Sequence, residues 1–163
     1  VNNFRGNYMR YLNIFLTITF IVFMSSFPSN AKLGFVGIGV SNLEESTEFY
    51  KEALGLKVLG TYENIEVDNS DGSKWYVDEV VVGNNETETG LVLMNWGREN
   101  RTYNGNNQKI VFVVNNAVEV MQKIRLAGGK IEREALPHYS IDGGLVGLAR
   151  DPDNYVVEIV QFK

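Results

Sequence analysis

Residues 35–56, FVGIGVSNLEESTEFYKEALGL, run from an apolar strand through a capped helix to a glycine exit, and residues 109–129, KIVFVVNNAVEVMQKIRLAGG, do so again. In the first copy Val36, Ile38 and Val40 share one strand face and Phe35, Gly37 and Gly39 the other, because side chains alternate along a strand. The glycine face has room for a ligand. Ser41 and Glu44 have the capping-box spacing, which predicts a helix from about Leu43 to Ala53, ended by Gly55. In the second copy Asn115 or Asn116 can cap a helix bearing Val118, Met121, Ile124 and Leu126, and Gly128-Gly129 stops it.

Strands are predicted after each helix. In the first copy they fall at 56–62, 74–82 and 91–95, separated by the turn cluster 69–72 and the polar loop 83–90. In the second they fall near 130–134, 144–150 and 155–161. Arg150-Asp151-Pro152-Asp153-Asn154 reads as a turn with solvated carboxylates, and the Asn-rich span 98–108 as the linker between copies. A β-α-β unit used twice can enclose a concave site between the copies.

The 163 residues fit one domain. Arg5 and Arg10 precede an apolar run at 12–24, shorter than the roughly 20 residues of a membrane span, and Ser29 and Ala31 suit the −3 and −1 positions of a cleavage site. Residues 1–31 are therefore expected to be a cleaved signal peptide, with Met9 a possible start and an uncleaved anchor as the competing reading. A periplasmic or secreted location follows, with no stable membrane insertion after cleavage. Cysteine is absent, which excludes disulfides and lipid attachment through a thioether. Residues 32–163 hold 13 basic and all 20 acidic residues, formally −7, a balance that repels nucleic acid.

The segments at 36–58, with Val40-Ser41-Asn42-Leu43 and 49–56, FYKEALGL, resemble the opening of the glyoxalase I and bleomycin-resistance group of the vicinal oxygen chelate superfamily. Asn95-Trp96-Gly97, the run from Gln122 through Gly128-Gly129, and 151–158, DPDNYVVE, resemble later landmarks of glyoxalase I. The resemblance covers nearly all of 33–160. It implies an α+β fold of two tandem βαβββ modules, about 33–97 and 109–161, forming a curved mixed sheet around a central cleft, often as a homodimer. It also implies a metal at the centre that binds vicinal oxygens of a substrate.

In glyoxalase I the first strand of each module supplies a His or Gln ligand and the last strand a Glu. Residue by residue, those four positions fall here on Phe35, Leu91, Lys109 and Glu158. Only Glu158 is retained, and a one-residue slip around Leu91 finds no acid, since 91–94 read LVLM. Phe and Leu have no lone pair to donate, and a Lys ammonium is itself a cation. One histidine in the chain, His138, also rules out a two-His facial triad within it. No metal and no other cofactor is therefore expected; Ni, Zn, Fe or Mn would accompany a surviving enzyme.

The expected ligand site comprises Phe35, Leu91, Trp96, Lys109, His138 and Glu158 at the inter-module cleft. Lys109 and Glu158 are expected to pair across the cavity in place of a metal, the alternative being that Lys109 ends a strand in water. His138 is expected in a loop, with general acid or base work open to it through its near-neutral pKa. Of Trp75, Tyr76, Trp96, Tyr103 and Tyr139, near strand ends or loops, some are expected to line a pocket and most to fill the core or an interface. Two function classes result. One is an exported binding protein holding a small organic ligand without metal. The other is an enzyme, either a lyase or isomerase of glyoxalase I type or a metal-independent one using the catalytic candidates Glu158 and His138.

Overall fold

The computed structural model describes residues 33–163 apart from 86–88, 98–100, 104, 106, 139 and 140, so the expected leader, the centre of the 83–90 loop and Tyr139 lie outside the described residues. The first module comprises β1 (Phe35–Gly39), α1 (Leu43–Leu54), β2 (Lys57–Asp68), β3 (Lys74–Gly83) and β4 (Gly90–Asn95). The second repeats it as β5 (Lys109–Val113), α2 (Ala117–Leu126), β6 (Lys130–His138), β7 (Ile141–Arg150) and β8 (Val156–Gln161). Both are βαβββ units. Each forms its own four-stranded mixed sheet, ordered β1-β4-β3-β2 and β5-β8-β7-β6, rather than one continuous sheet. The first strand of each lies parallel to the last. The next strand must then reach the opposite edge, and the helix is the crossover that spans the sheet.

The caps show how local chemistry sets the entries. Asn42, not Ser41, caps α1, its Oδ1 accepting from the Glu44 and Glu45 amides at 3.1 and 3.2 Å. The Ser41 amide is already committed to Asp153 Oδ1 at 2.9 Å, a partner 112 residues away that spacing cannot reveal. Of the two asparagines before α2, Asn116 is the cap, accepting from the Glu119 amide at 3.1 Å. Gly55 ends α1 at φ 69, the left-handed conformation that favours glycine.

β2 and β6 run on to Asp68 and His138, beyond their expected ends, because hairpin partners pair along their length whatever the polarity of exposed side chains. His138 therefore ends a strand instead of lying in a loop. The helices pack on the back of each sheet and on each other. Phe49, Tyr50 and Ala53 of α1 meet Ala117, Met121 and Ile124 of α2 in one core, all at most 1% exposed. Gly129 lies at this seam, where a Cβ would stand 2.6 Å from Ile124 Cγ2 and 2.8 Å from Phe49 Cε2.

Candidate functional site at the seam between the modules

β1 and β5 are the edge strands of their sheets, and a cavity of about 350 Å³ lies between them. Its walls include Val36, Leu56 and Leu91 from the first module and Lys109, Val111 and Phe112 from the second, with Asn84 and Thr89 at the polar side. An apolar space with a few polar groups at its rim is the usual form of a small-molecule site.

Strand register decides which expected residues meet there. Phe35 pairs with Gly90 and Val36 with Leu91, so Leu91 shares the helix-packed face of the first sheet and is 6% exposed. Leu91 lines the cavity from the core side, while Phe35 opens onto the other face at 45% exposure. Lys109 pairs with Val156, which sets Lys109 and Glu158 on one face of the second sheet. By the same offset the first-module counterpart of Glu158 is Val92, another side chain without a lone pair.

Lys109 Nζ reaches Glu158 Oε2 at 2.7 Å. The expected pair exists, but it links the adjacent strands β5 and β8 of one module and does not bridge the two. The Lys109 side chain is 52% exposed and that of Glu158 20%. Such a pair contributes about 0–1 kcal/mol, not the several expected of a buried one. Lys109→Met and Glu158→Gln should each change urea-unfolding free energy by about 1 kcal/mol or less, and a loss above about 2 for Lys109→Met would contradict this assignment.

Trp96 follows β4 and donates its backbone N–H to the Tyr103 hydroxyl at 2.7 Å. His138, half-buried, pairs in register with Ile141, whereas β7 meets the end of β8 at Leu145 and Gln161. With β7 lying between β6 and β8, the fold does not bring His138 and Glu158 together as an acid–base pair. Among the described residues no three His, Cys, Asp or Glu side chains cluster to hold a metal ion. The donor chemistry agrees: Phe35, Val92 and Lys109 beside a single carboxylate do not fit the ligand set that the resemblance implies.

The turn after β7 departs most from expectation. Asp151 and Asp153 are 5% and 8% exposed, not solvated, and they fasten the second module to the first. Asp151 Oδ2 accepts from the Tyr50 hydroxyl at 2.7 Å, and its Oδ1 accepts from the amides of Asp153 at 3.1 Å and Tyr155 at 2.8 Å. Asp153 accepts from the Ser41 amide at 2.9 Å and from Ser46 Oγ at 3.1 Å. The Tyr155 hydroxyl donates to the Gly39 carbonyl at 2.9 Å. Burial pushes the Asp151 carboxyl up to about 6, over the opposing Tyr50 hydrogen bond, and the nearby Asp153 charge acts in the same direction as burial. The available signal was that the amide two residues after an Asx can be its local partner, which shows only one of these six bonds, that from the Asp153 amide to Asp151.

Comparison with known proteins agrees with this geometry. Residues 32–159 match the family described as Glyoxalase/Bleomycin resistance protein/Dioxygenase superfamily. The chain is 34% identical over 128 residues to a lactoylglutathione lyase of Salmonella typhimurium, covering 76% of this chain and 87% of that protein. It is similar in fold to the trypanothione-dependent glyoxalase I of Leishmania major, with TM-score 0.60 and 23% identity over 81% of this chain and 87% of that one. It also resembles an antibiotic binding protein from Streptomyces, with TM-score 0.58 and 16% identity over 84% of this chain and all of that one, at 100%.

Proposed function

This chain belongs to the glyoxalase/bleomycin resistance protein/dioxygenase superfamily, and from that premise we propose that it is a binding protein which holds a small organic ligand in the inter-module cavity without a metal. The observation that carries this reading is the Lys109–Glu158 ion pair, 2.7 Å long, where the family resemblance calls for two metal ligands. An ammonium there balances the retained carboxylate and offers donors to a carbonyl or carboxylate oxygen, while Val36, Leu91 and Phe112 supply apolar walls for the rest of the ligand.

A divergent lyase or isomerase of glyoxalase I type is the second reading, favoured by the 34% identity to a lactoylglutathione lyase and by retention of Glu158. The polarisation that a divalent metal gives to vicinal oxygens has no counterpart in Phe35 or Val92.

Further parts of the proposal are export with removal of residues 1–31 and assembly as a homodimer. Phe35, Val111, Val113 and Leu136 are 45–66% exposed, apolar surface that a second copy can cover. Native mass spectrometry of the protein recovered from its own compartment reads all of these. The expected result is a dimer of chains beginning near Lys32, with substoichiometric metal. Stoichiometric Ni, Zn, Fe or Mn, together with metal-dependent turnover of the methylglyoxal–glutathione hemithioacetal, would establish the enzyme instead. A mass retaining 12–24 would show an anchor.

A further inference from the structure

The two tryptophans of the chain, Trp75 and Trp96, meet at the opposite end of β4 from the cavity. Trp75 lies near the start of β3 and Trp96 just beyond β4, and their rings stand edge to face, 5.9 Å apart at 90°. Into that corner the inter-module linker sends Arg101. Its Cζ lies 4.7 Å from the Trp75 ring centre and 4.1 Å from that of Trp96.

The linker is held in place here. The Tyr103 hydroxyl accepts from the Trp96 amide at 2.7 Å, and the Tyr103 ring lies over Gly39, where a Cβ would come within 2.8 Å of it. Among the described residues no carboxylate pairs with Arg101, although Lys74, next to Trp75 in sequence, pairs with Glu66.

Indole faces attract a guanidinium through the ring quadrupole, yet they neither cancel its charge nor engage its N–H groups. Among the described residues nothing engages the in-plane fork of donors, which suits an acceptor of matching shape, and a carboxylate is that shape. Trp75 stays 38% exposed, an apolar wall beside the fork. A polar-only ligand would leave that wall in water.

We propose that Arg101, Trp75 and Trp96 form a second binding site, which takes a small organic carboxylate bearing a planar apolar group. The Arg101 fork receives the carboxylate and the exposed part of Trp75 the planar group. The site does not depend on the cavity at Lys109, so Lys109→Met should leave it unchanged.

Both tryptophans belong to the site, so tryptophan fluorescence reads its occupancy directly. Titration of the full protein with phenylacetate at constant ionic strength is expected to give a saturable change. Phenylacetamide and acetate should each bind at least about tenfold more weakly, because each lacks one of the two recognised groups. Arg101→Gln should weaken phenylacetate at least about tenfold, and Arg101→Lys should fail to restore it, since an ammonium has no planar fork. Trp75→Leu, read through Trp96, should weaken phenylacetate and leave acetate unaffected. Arg101 is exposed, so these variants are expected to fold, with far-UV circular dichroism as the check. The proposal fails if no saturable change occurs, if Arg101→Gln or phenylacetamide matches the parent pair, or if phenyltrimethylammonium binds more tightly than phenylacetate, which would make the tryptophans a cation cage.

Discussion

Asp151→Ala should lower stability by about 3 kcal/mol. The substitution strands the Tyr50 hydroxyl and the amides of Asp153 and Tyr155, which lose their acceptor in a buried setting, and each such orphan costs about 1–3 kcal/mol. Part of this is recovered because the ionised carboxyl is itself disfavoured by burial. Asp151→Asn should behave differently. Its oxygen can accept from the two amides while its NH₂ donates to the Tyr50 oxygen, so it imitates the protonated acid.

The sign of the pH dependence follows from the direction of the shift. A folded-state value of about 6 lies above the ordinary 3.8, so between those values the native state binds more protons than the unfolded one. The contribution of Asp151 is complete below about pH 3.8 and is lost as pH rises through about 6, opposite to a salt-bridged carboxylate. A shift of this size corresponds to roughly 3 kcal/mol. Urea unfolding of the parent and of Asp151→Asn at pH 4.5 and 7.5 measures most of it: the parent should lose about 2 kcal/mol relative to the variant between those conditions. A difference that stays constant with pH would place the carboxyl in an ordinary aqueous setting.

Phe49→Ala should cost about 3–5 kcal/mol, the range for truncating a fully buried aromatic. Phe49 is 1% exposed, stacks edge to face on Tyr50 with ring centres 5.2 Å apart, and approaches Gly129 of the second module. The cavity it would leave is closed on one side by α1 and on the other by the seam, with little freedom to collapse. Because the residue touches both modules, they should still unfold together. Tryptophan fluorescence, which reports on the first module, and far-UV circular dichroism, which reports on both, are expected to shift to the same lower urea midpoint. Separate midpoints, or a loss under about 1.5 kcal/mol, would mean that each module carries its own core.

Much of the fold was readable because its signals are local. Strand alternation in 35–40, helical spacing in 118–126 and the glycine at 55 act within a few residues, and the structure places strands and helices there. Duplication of that pattern made the two modules visible. The ends of β2 and β6 were not, since pairing with a neighbour and not side-chain polarity extends them. The choice of Asn42 over Ser41 was equally hidden, because Asp153, from the far end of the chain, accepts from the Ser41 amide that Glu44 would have taken in a capping box.

The site divides along the same line. That Phe35, Lys109 and the stretch around Leu91 cannot ligate a metal is a property of their side chains and needs no coordinates. Which of Leu91 and Val92 faces the open side is a question of register, and a one-residue offset exchanges the faces of a strand. Lys109 and Glu158 were paired by residue type, but the pairing of β5 with β8 inside one module decides that their bond does not join the modules. The joining falls to Asp151 and Asp153, polar residues of a turn whose sequence carries the mark of solvation. Composition and periodicity report the average preference of a residue for water or core. The partners that allow a carboxylate to leave water, Tyr50 and Ser46 across the seam, exist only once both modules have folded.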